Sequence, residues 1–401
     1  MDKKVILAVA GAGKTYHICH NIDIRKRNLI IAFTHENIRN IKNELNNAFG
    51  CIPELTTVST FDSFVYKNFI LPYEYTIAKY FNRVNFKSNG ITMADPPAKT
   101  IKIANSTYVN NKDYVSKKYL NHYVTKNNQY YCKTLSELAL QVKNKDTNLI
   151  KRAVSRLKLF YDNILVDEFQ DFRNFNYELL IHLAKLFEKV TFVGDFYQHS
   201  VSALNNSGKP FNKNPTYDSF VDLLHNLGFE VDKTSLVRSR RCAKEVCNYV
   251  KKKLNIDIVS SEINHGNIIW ADGFANEVIR NDEIVKLVYK DSEKCSFNAM
   301  NWSYSKGCTL DSVCVILTKD FENIDDSSFV TEMISPSTVN KLYVAMTRSR
   351  GDLYLIKHST LKNLVISTYA FSFFLVSCKI QVFAMLWTFK TSISCACCCI
   401  N

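Results

Sequence analysis

Short apolar runs separated by longer amphipathic stretches set the pattern of this chain. Residues 4 to 10 (Lys-Val-Ile-Leu-Ala-Val-Ala) predict a buried strand. Comparable runs recur at Asn28 to Phe33, Asn163 to Asp167, Val190 to Asp195, Ser312 to Leu317 and Asp352 to Lys357. Continuous apolar runs of this length suit strands covered on both faces, as in a parallel sheet. Between them, Glu36 to Phe49 and Tyr177 to Phe187 space their apolar residues as helices do. Alternation of the two kinds predicts parallel α/β architecture, and the spread of the runs predicts two such domains.

Two stretches break the pattern. Residues 65 to 160 hold 17 Lys or Arg against 5 Asp or Glu and interleave aromatics such as Tyr66, Tyr75, Tyr108, Tyr119 and Tyr130. They read as a basic, mainly helical insertion into the first domain. Residues 361 to 401 are apolar and carry three Lys, no acid and five of the 13 cysteines. A membrane span there is weakened by the central Lys379, since a mid-span Lys costs about 2.5 to 3.5 kcal/mol, so membrane contact through the tail is not expected. The expected division is therefore 1–64 and 161–230 for the first α/β domain, 65–160 for the insertion, 231–360 for the second domain and 361–401 for the tail.

Composition sharpens this picture. With 46% hydrophobic and 22% charged residues over 401 positions, the chain is globular rather than disordered. Its net charge of +13 favours a polyanionic partner. The eight cysteines before residue 361 show no paired zinc spacing, and the chain opens Met-Asp-Lys-Lys without an apolar export segment. A reducing, cytoplasmic location is the expectation.

The chemistry concentrates at two strand ends. Ala8-Val9-Ala10-Gly11-Ala12-Gly13-Lys14-Thr15 follows a strand and opens a helix. Such a loop wraps backbone N–H groups around phosphate oxygens, with Lys14 reaching the terminal phosphates and Thr15 holding Mg²⁺. The usual first glycine of the pattern is here Ala8. A second apolar run ends in Asp167-Glu168-Phe169-Gln170-Asp171. Its carboxylates supply what hydrolysis still needs: Asp167 for the metal and Glu168 for the attacking water. Taken alone, such a strand end is also compatible with a solvated cap.

Asp-Glu-Phe-Gln-Asp resembles the second motif of UvrD/Rep-like superfamily 1 DNA helicases, and further segments resemble that family's motifs in its order. They are Ala32-Phe33-Thr34-His35-Glu36-Asn37, Thr60-Phe61-Asp62-Ser63-Phe64, Val193-Gly194-Asp195-Phe196-Tyr197-Gln198 and Leu236-Val237-Arg238-Ser239-Arg240-Arg241-Cys242. Ser305-Lys306-Gly307-Cys308-Thr309-Leu310-Asp311 and Leu342-Tyr343-Val344-Ala345-Met346-Thr347-Arg348-Ser349-Arg350 complete the set. The matches cover residues 5 to 356.

The resemblance implies two RecA-like domains of the P-loop NTPase class, with ATP and Mg²⁺ held by Ala10, Gly11, Ala12, Gly13, Lys14, Thr15 and Asp167. It implies Glu168 as base, Gln198 as γ-phosphate sensor, and Arg241 and Arg348 as neutralising arginines. It implies single-stranded or partly duplex DNA as partner, touched by Phe33, Thr34, Asn37, Thr60 and Lys306, with 3′ to 5′ movement. The family's adenine sandwich of Arg and Tyr has its residue types exchanged here, giving Tyr16 and Arg240; stacking of this kind works from either side. Only Met1 to Lys4 precede the first strand, where the family carries an adenine-reading glutamine segment, so relaxed base selectivity is expected. Between Cys242 and Ser303 there are only about 60 residues, so this is a compact form without the large accessory subdomain. Repair, replication, a mobile element or defence against one would all use such a motor. A DNA-stimulated ATPase that does not unwind, and a non-catalytic DNA-binding scaffold, are the rival readings.

Overall fold

The computed structural model describes residues 2–83, 85–103, 108–143, 148–201, 208–213 and 216–361. The tail expected at 361–401 lies outside the described residues beyond Leu361. Two compact units emerge: one of Met1–Arg240, Asp257–Ser261 and Pro336–Tyr343, the other of Arg241–Ile256, Glu262–Ser335 and the residues from Val344 on.

The first unit is built on a six-stranded, wholly parallel sheet. Its strands are β1 (Asp2–Leu7), β2 (Asn28–Ala32), β3 (Thr56–Thr60), β4 (Asn163–Val166), β5 (Lys189–Gly194) and β6 (Glu230–Asp232). They lie in the order β6-β1-β5-β4-β2-β3. Because β6 pairs with β1, Lys4 opposite Glu230, the boundary expected at 230/231 falls inside this sheet. The polar β6 sequence, Glu-Val-Asp, carries no apolar run to show that it is a strand. Interior strand β2 is buried along its whole length, as a parallel strand covered on both faces requires. Helices α1 (Lys14–His20) and α2 (His35–Phe49) follow β1 and β2, and α3 (Phe61–Val65) follows β3. Each connection therefore delivers its loop to the carboxyl end of a strand, where open α/β sheets hold ligands.

The basic insertion leaves after the edge strand β3 and returns to β4. Helices form its two ends, Glu74–Tyr80 first and then Leu135–Gln141 and Leu149–Leu157. Between them the expected helical character gives way to short strands, with Ile91–Thr92 parallel to Tyr130–Tyr131 and Thr100–Lys102 antiparallel to Tyr108–Asn110. Gly90, Pro96 and Pro97 in this segment oppose helix. The insertion's aromatics divide by environment: Phe69, Tyr123 and Tyr130 are fully buried in the first unit's core, whereas Tyr75, Tyr108 and Tyr119 are each more than 60% exposed.

The second unit carries a five-stranded parallel sheet of β7 (Ile268–Trp270), β8 (Val285–Val288), β9 (Ala299–Asn301), β10 (Val313–Ile316) and β11 (Leu353–Ile356), in the order β7-β11-β10-β8-β9. Its core includes Ala275, Val278, Val288, Cys314, Ile316 and Ile356. Trp302 is fully buried there and donates its indole N–H to the Leu287 carbonyl at 3.1 Å. Helix α4 (Pro336–Met346) begins in the first unit and continues, from Val344, in the second. Both sheets are parallel, as the alternating pattern predicted. No helix among the described residues is long and apolar enough to cross a membrane.

Candidate active site

The loop at residues 8–13 is pinned on several sides. Ala8 N–H donates to the Gly194 carbonyl at 2.8 Å, Val9 N–H to the Leu236 carbonyl at 3.0 Å and Ala12 N–H to the Val9 carbonyl at 3.3 Å. Within the loop only Gly11 and Gly13 take positive φ, 71° and 83°. A side chain is strained in that region, which explains why these two positions are glycine while the third can be Ala8. Gly13 then serves as the N-cap of α1, placing Lys14 and Thr15 in its first turn.

Beside this loop stands the carboxyl end of β4. Thr15 Oγ1 donates to Asp167 Oδ2 at 2.9 Å, and Lys14 Nζ lies 3.3 Å from Glu168 Oε1. Asp167 is 2% exposed. Burial, reinforced by the neighbouring Glu168 charge, pushes its carboxyl up, while Lys14 and the Thr15 hydroxyl oppose that shift. A carboxylate in this position is poised to gain a cation. Thr15 and Asp167 offer only hard oxygen donors, which suits Mg²⁺ held by one or two protein oxygens plus phosphate oxygens. Glu168 adopts a left-handed backbone, φ 52° and ψ 45°, at a cost of about 1 to 2 kcal/mol for a residue with a Cβ.

A hydrogen-bond circuit surrounds these groups. Gln170 Nε2 donates to Glu168 Oε2, and Gln170 Oε1 accepts the Asp195 N–H at 2.9 Å. Asp195 Oδ2 accepts from Gln198 Nε2 at 2.8 Å and from the Tyr343 hydroxyl at 3.1 Å. The same hydroxyl accepts the Ala10 N–H at 2.7 Å, which returns the circuit to the loop. Burial pushes the Asp195 carboxyl up to about 6, opposed by the Lys14 charge and by its bonds to Tyr343 and Gln198. Gln170, Asp195 and Tyr343 are not among the expected site residues, although all three lie inside the motif segments. Their positions in those segments were the available signal.

The other expected positions fall into separate groups. Arg240 has its guanidinium carbon 5.0 Å from the Tyr16 ring centroid, and its N–H donates to the Gly11 carbonyl at 2.9 Å. Tyr16 also stacks on His20 at 3.7 Å, and His20 Nε2 lies 2.8 Å from Glu44 Oε1. Phe33, Thr34, Asn37 and Thr60 gather at the carboxyl ends of the paired strands β2 and β3, where Ala32 faces Thr60. Phe33 is half-buried, edge-on to Phe172 at 5.5 Å. Thr34 and Thr60 cap helices, accepting from the Asn37 N–H at 3.1 Å and the Ser63 N–H at 3.4 Å. In the second unit, Arg241 donates to Thr309 Oγ1 at 2.9 Å and to the Thr347 carbonyl at 3.2 Å. The Arg348 guanidinium is buried among the carbonyls of Val344, Ser305 and Cys308, and Lys306 follows Ser305 in the chain.

A parallel sheet with a phosphate-loop lysine facing a strand-end carboxylate pair defines a P-loop nucleotide triphosphatase fold of the superfamily 1 helicase type. Two family models match the chain: one described as an AAA domain over residues 2–203, the other as the viral superfamily 1 RNA helicase core domain over residues 112–357. The chain belongs to the viral superfamily 1 RNA helicase core domain family. Similar solved structures include the arterivirus nonstructural protein 10 (helicase) in complex with DNA, 13% identical with a TM-score of 0.41 over 88% of this chain and 60% of that one. The PRRSV helicase is 14% identical, with a TM-score of 0.41 over 88% of this chain and 52% of that one. The chain thus spans about half to three fifths of the length of these proteins. No curated protein matches it.

Proposed function

We propose that this chain is an ATP-dependent helicase or translocase acting on single-stranded nucleic acid. The observation that carries this reading is the cluster of Lys14, Thr15, Asp167 and Glu168, four side chains from two motifs 152 residues apart. Membership of the viral superfamily 1 family supports it. Bound Mg²⁺ would neutralise charge on the β- and γ-phosphates of ATP, and Thr15 and Asp167 would hold it.

The chain's own groups do the remaining work. Lys14 leaves Glu168 for the terminal phosphates, freeing a carboxylate that orients the attacking water and accepts its proton. Gln170 keeps that carboxylate in place, and Gln198 reads the γ-phosphate. Arg241 and Arg348 neutralise charge developing there; an arginine in this role contributes about 10³ to 10⁵ in rate. Arg240 and Tyr16 clamp the base of ATP by stacking.

For the polymer, the reading is UvrD/Rep-like movement, 3′ to 5′ on DNA, along Phe33, Thr34, Asn37, Thr60 and Lys306. The basic insertion with its exposed tyrosines neutralises phosphates and offers stacking surfaces beside that path. In a cytoplasmic setting, repair, replication, a mobile element or defence against one would each use such a motor.

Nucleotide turnover with and without single-stranded DNA or RNA tests the proposal, and strand separation on partial duplexes refines it. Polymer-stimulated turnover that is abolished in Glu168→Gln is the expected result. Turnover without strand separation would select a translocating or remodelling ATPase, stronger stimulation by RNA would replace DNA as the track, and no turnover in the parent would leave only a binding scaffold.

A further inference from the structure

The Tyr343 side chain bonds both the phosphate loop and the Asp195 segment. It is fully buried, and its ring packs edge-on against Tyr197 at 5.8 Å. Its hydroxyl is used in both directions, accepting from the Ala10 N–H at 2.7 Å and donating to Asp195 Oδ2 at 3.1 Å. Ala10 immediately precedes Gly11, the first left-handed residue of the loop. Asp195 in turn takes the Gln198 side-chain amide at 2.8 Å and the Tyr197 N–H at 3.0 Å. One oxygen therefore fixes both the entrance to the loop and the acceptor that orients Gln198.

A buried tyrosine whose hydroxyl merely needs partners could take any two groups. Here both partners belong to the nucleotide site, and they have opposite polarity, so the O–H direction is set. Rotating the O–H away leaves the buried Asp195 carboxylate short of a donor, and losing the oxygen altogether also strands the buried Ala10 N–H, which holds the circuit in a single arrangement.

We propose that Tyr343 is a positioning residue for nucleotide hydrolysis, its hydroxyl locking the phosphate loop and, through Asp195, the Gln198 amide in one register. This rests on the hydrolytic reading of the site. The hydroxyl acts on Ala10 N–H and Asp195 rather than on nucleotide, so its loss lowers turnover more than it weakens substrate binding.

The test is steady-state ATP turnover of the full chain and of Tyr343→Phe, Asp195→Asn and the double variant, with thermal unfolding recorded for each. Tyr343→Phe keeps the ring and removes only the oxygen. The expected result is a fall in kcat of about tenfold or more with KM changed by less than about threefold, and a double variant no slower than the slower single variant. A Tyr343→Phe kcat within about twofold of the parent overturns the proposal, as do single effects that multiply in the double variant. Loss of the unfolding transition in Tyr343→Phe assigns the hydroxyl to stability alone and overturns it too. A parent without turnover removes the hydrolytic reading and this proposal together, whereas a normal Tyr343→Phe beside an active parent removes this proposal alone.

Discussion

The Thr15 hydroxyl donates to Asp167 Oδ2 over 2.9 Å, joining the first turn of α1 to the end of β4. The contact sets two oxygen donors side by side, the donor type that a small hard cation takes. Thr15→Ala removes one of them without disturbing the strand, so the Mg²⁺ concentration giving half-maximal turnover should rise about tenfold or more. Thr15→Ser keeps the oxygen and should stay within about threefold of the parent. A Mg²⁺ titration of turnover compares the three, and an unchanged titration in Thr15→Ala removes the metal assignment.

Gln170 and Gly194 form a second coupled pair. A Cβ built on Gly194 would lie 2.6 Å from Gln170 Oε1, closer than the side chain can tolerate in place. Gly194→Ala therefore obliges the end of the Gln170 side chain to shift from its place between Glu168 and the Asp195 N–H. Gln170→Leu breaks the same two bonds directly and strands a buried N–H, costing about 1 to 3 kcal/mol. Both variants should lose about 10- to 100-fold in turnover through a misoriented Glu168. Urea denaturation alongside kinetics checks this, and wild-type turnover in Gln170→Leu shows that Glu168 needs no such support.

Asp62, in the first turn of α3, is half-buried, and burial pushes its carboxyl up to about 6 from the ordinary 3.8. Between those two pH values the folded chain binds more protons than the unfolded one. Stability therefore falls as pH rises through that window and remains lowered above it, by about 2 to 3 kcal/mol. Asp62→Asn should relieve this penalty at pH 7 and be nearly neutral at pH 4. Denaturation midpoints of parent and variant at the two pH values decide it; a difference independent of pH means the carboxyl titrates normally.

Arg240 over Tyr16 sets the scale for the base clamp. The contact lies beside the phosphate loop through the Arg240 N–H to Gly11 bond. If the exchanged pair holds the base, Tyr16→Ala should raise the ATP Michaelis constant about fivefold, the equivalent of about 1 kcal/mol of stacking. Tyr16→Phe should remain near the parent. An unaltered Michaelis constant in Tyr16→Ala assigns the ring to packing on His20 instead.

The strands legible in the sequence and those that were not divide by position in the sheets. The six apolar runs became β1, β2, β4, β5, β10 and β11, every one an interior strand. Edge strands β3 and β6 leave no such mark because an edge needs no continuous apolar run, β3 reading Thr-Thr-Val-Ser-Thr and β6 Glu-Val-Asp, while β7 (Ile-Ile-Trp) and β9 (Ala-Met-Asn) are only three residues long. Interior β8 was masked by Lys286, which is 2% exposed yet satisfied by the Asn281 carbonyl at 2.6 Å.

What the sequence by itself determined was the fold class and the motifs, because a strand buried on both faces and a loop that must take positive φ each leave a local mark. The phosphate loop and the Asp167–Glu168 pair were visible in that way, and the basic insertion through its charge excess. Only the tertiary structure decided that Gln170 supports Glu168, that Tyr343 meets both Ala10 and Asp195, and that β6 completes the first sheet. Those facts depend on which strand ends lie side by side. Residues 10, 195 and 343 carry no mark of their meeting, since a hydrogen bond between distant segments depends on burial and direction that local pattern does not encode.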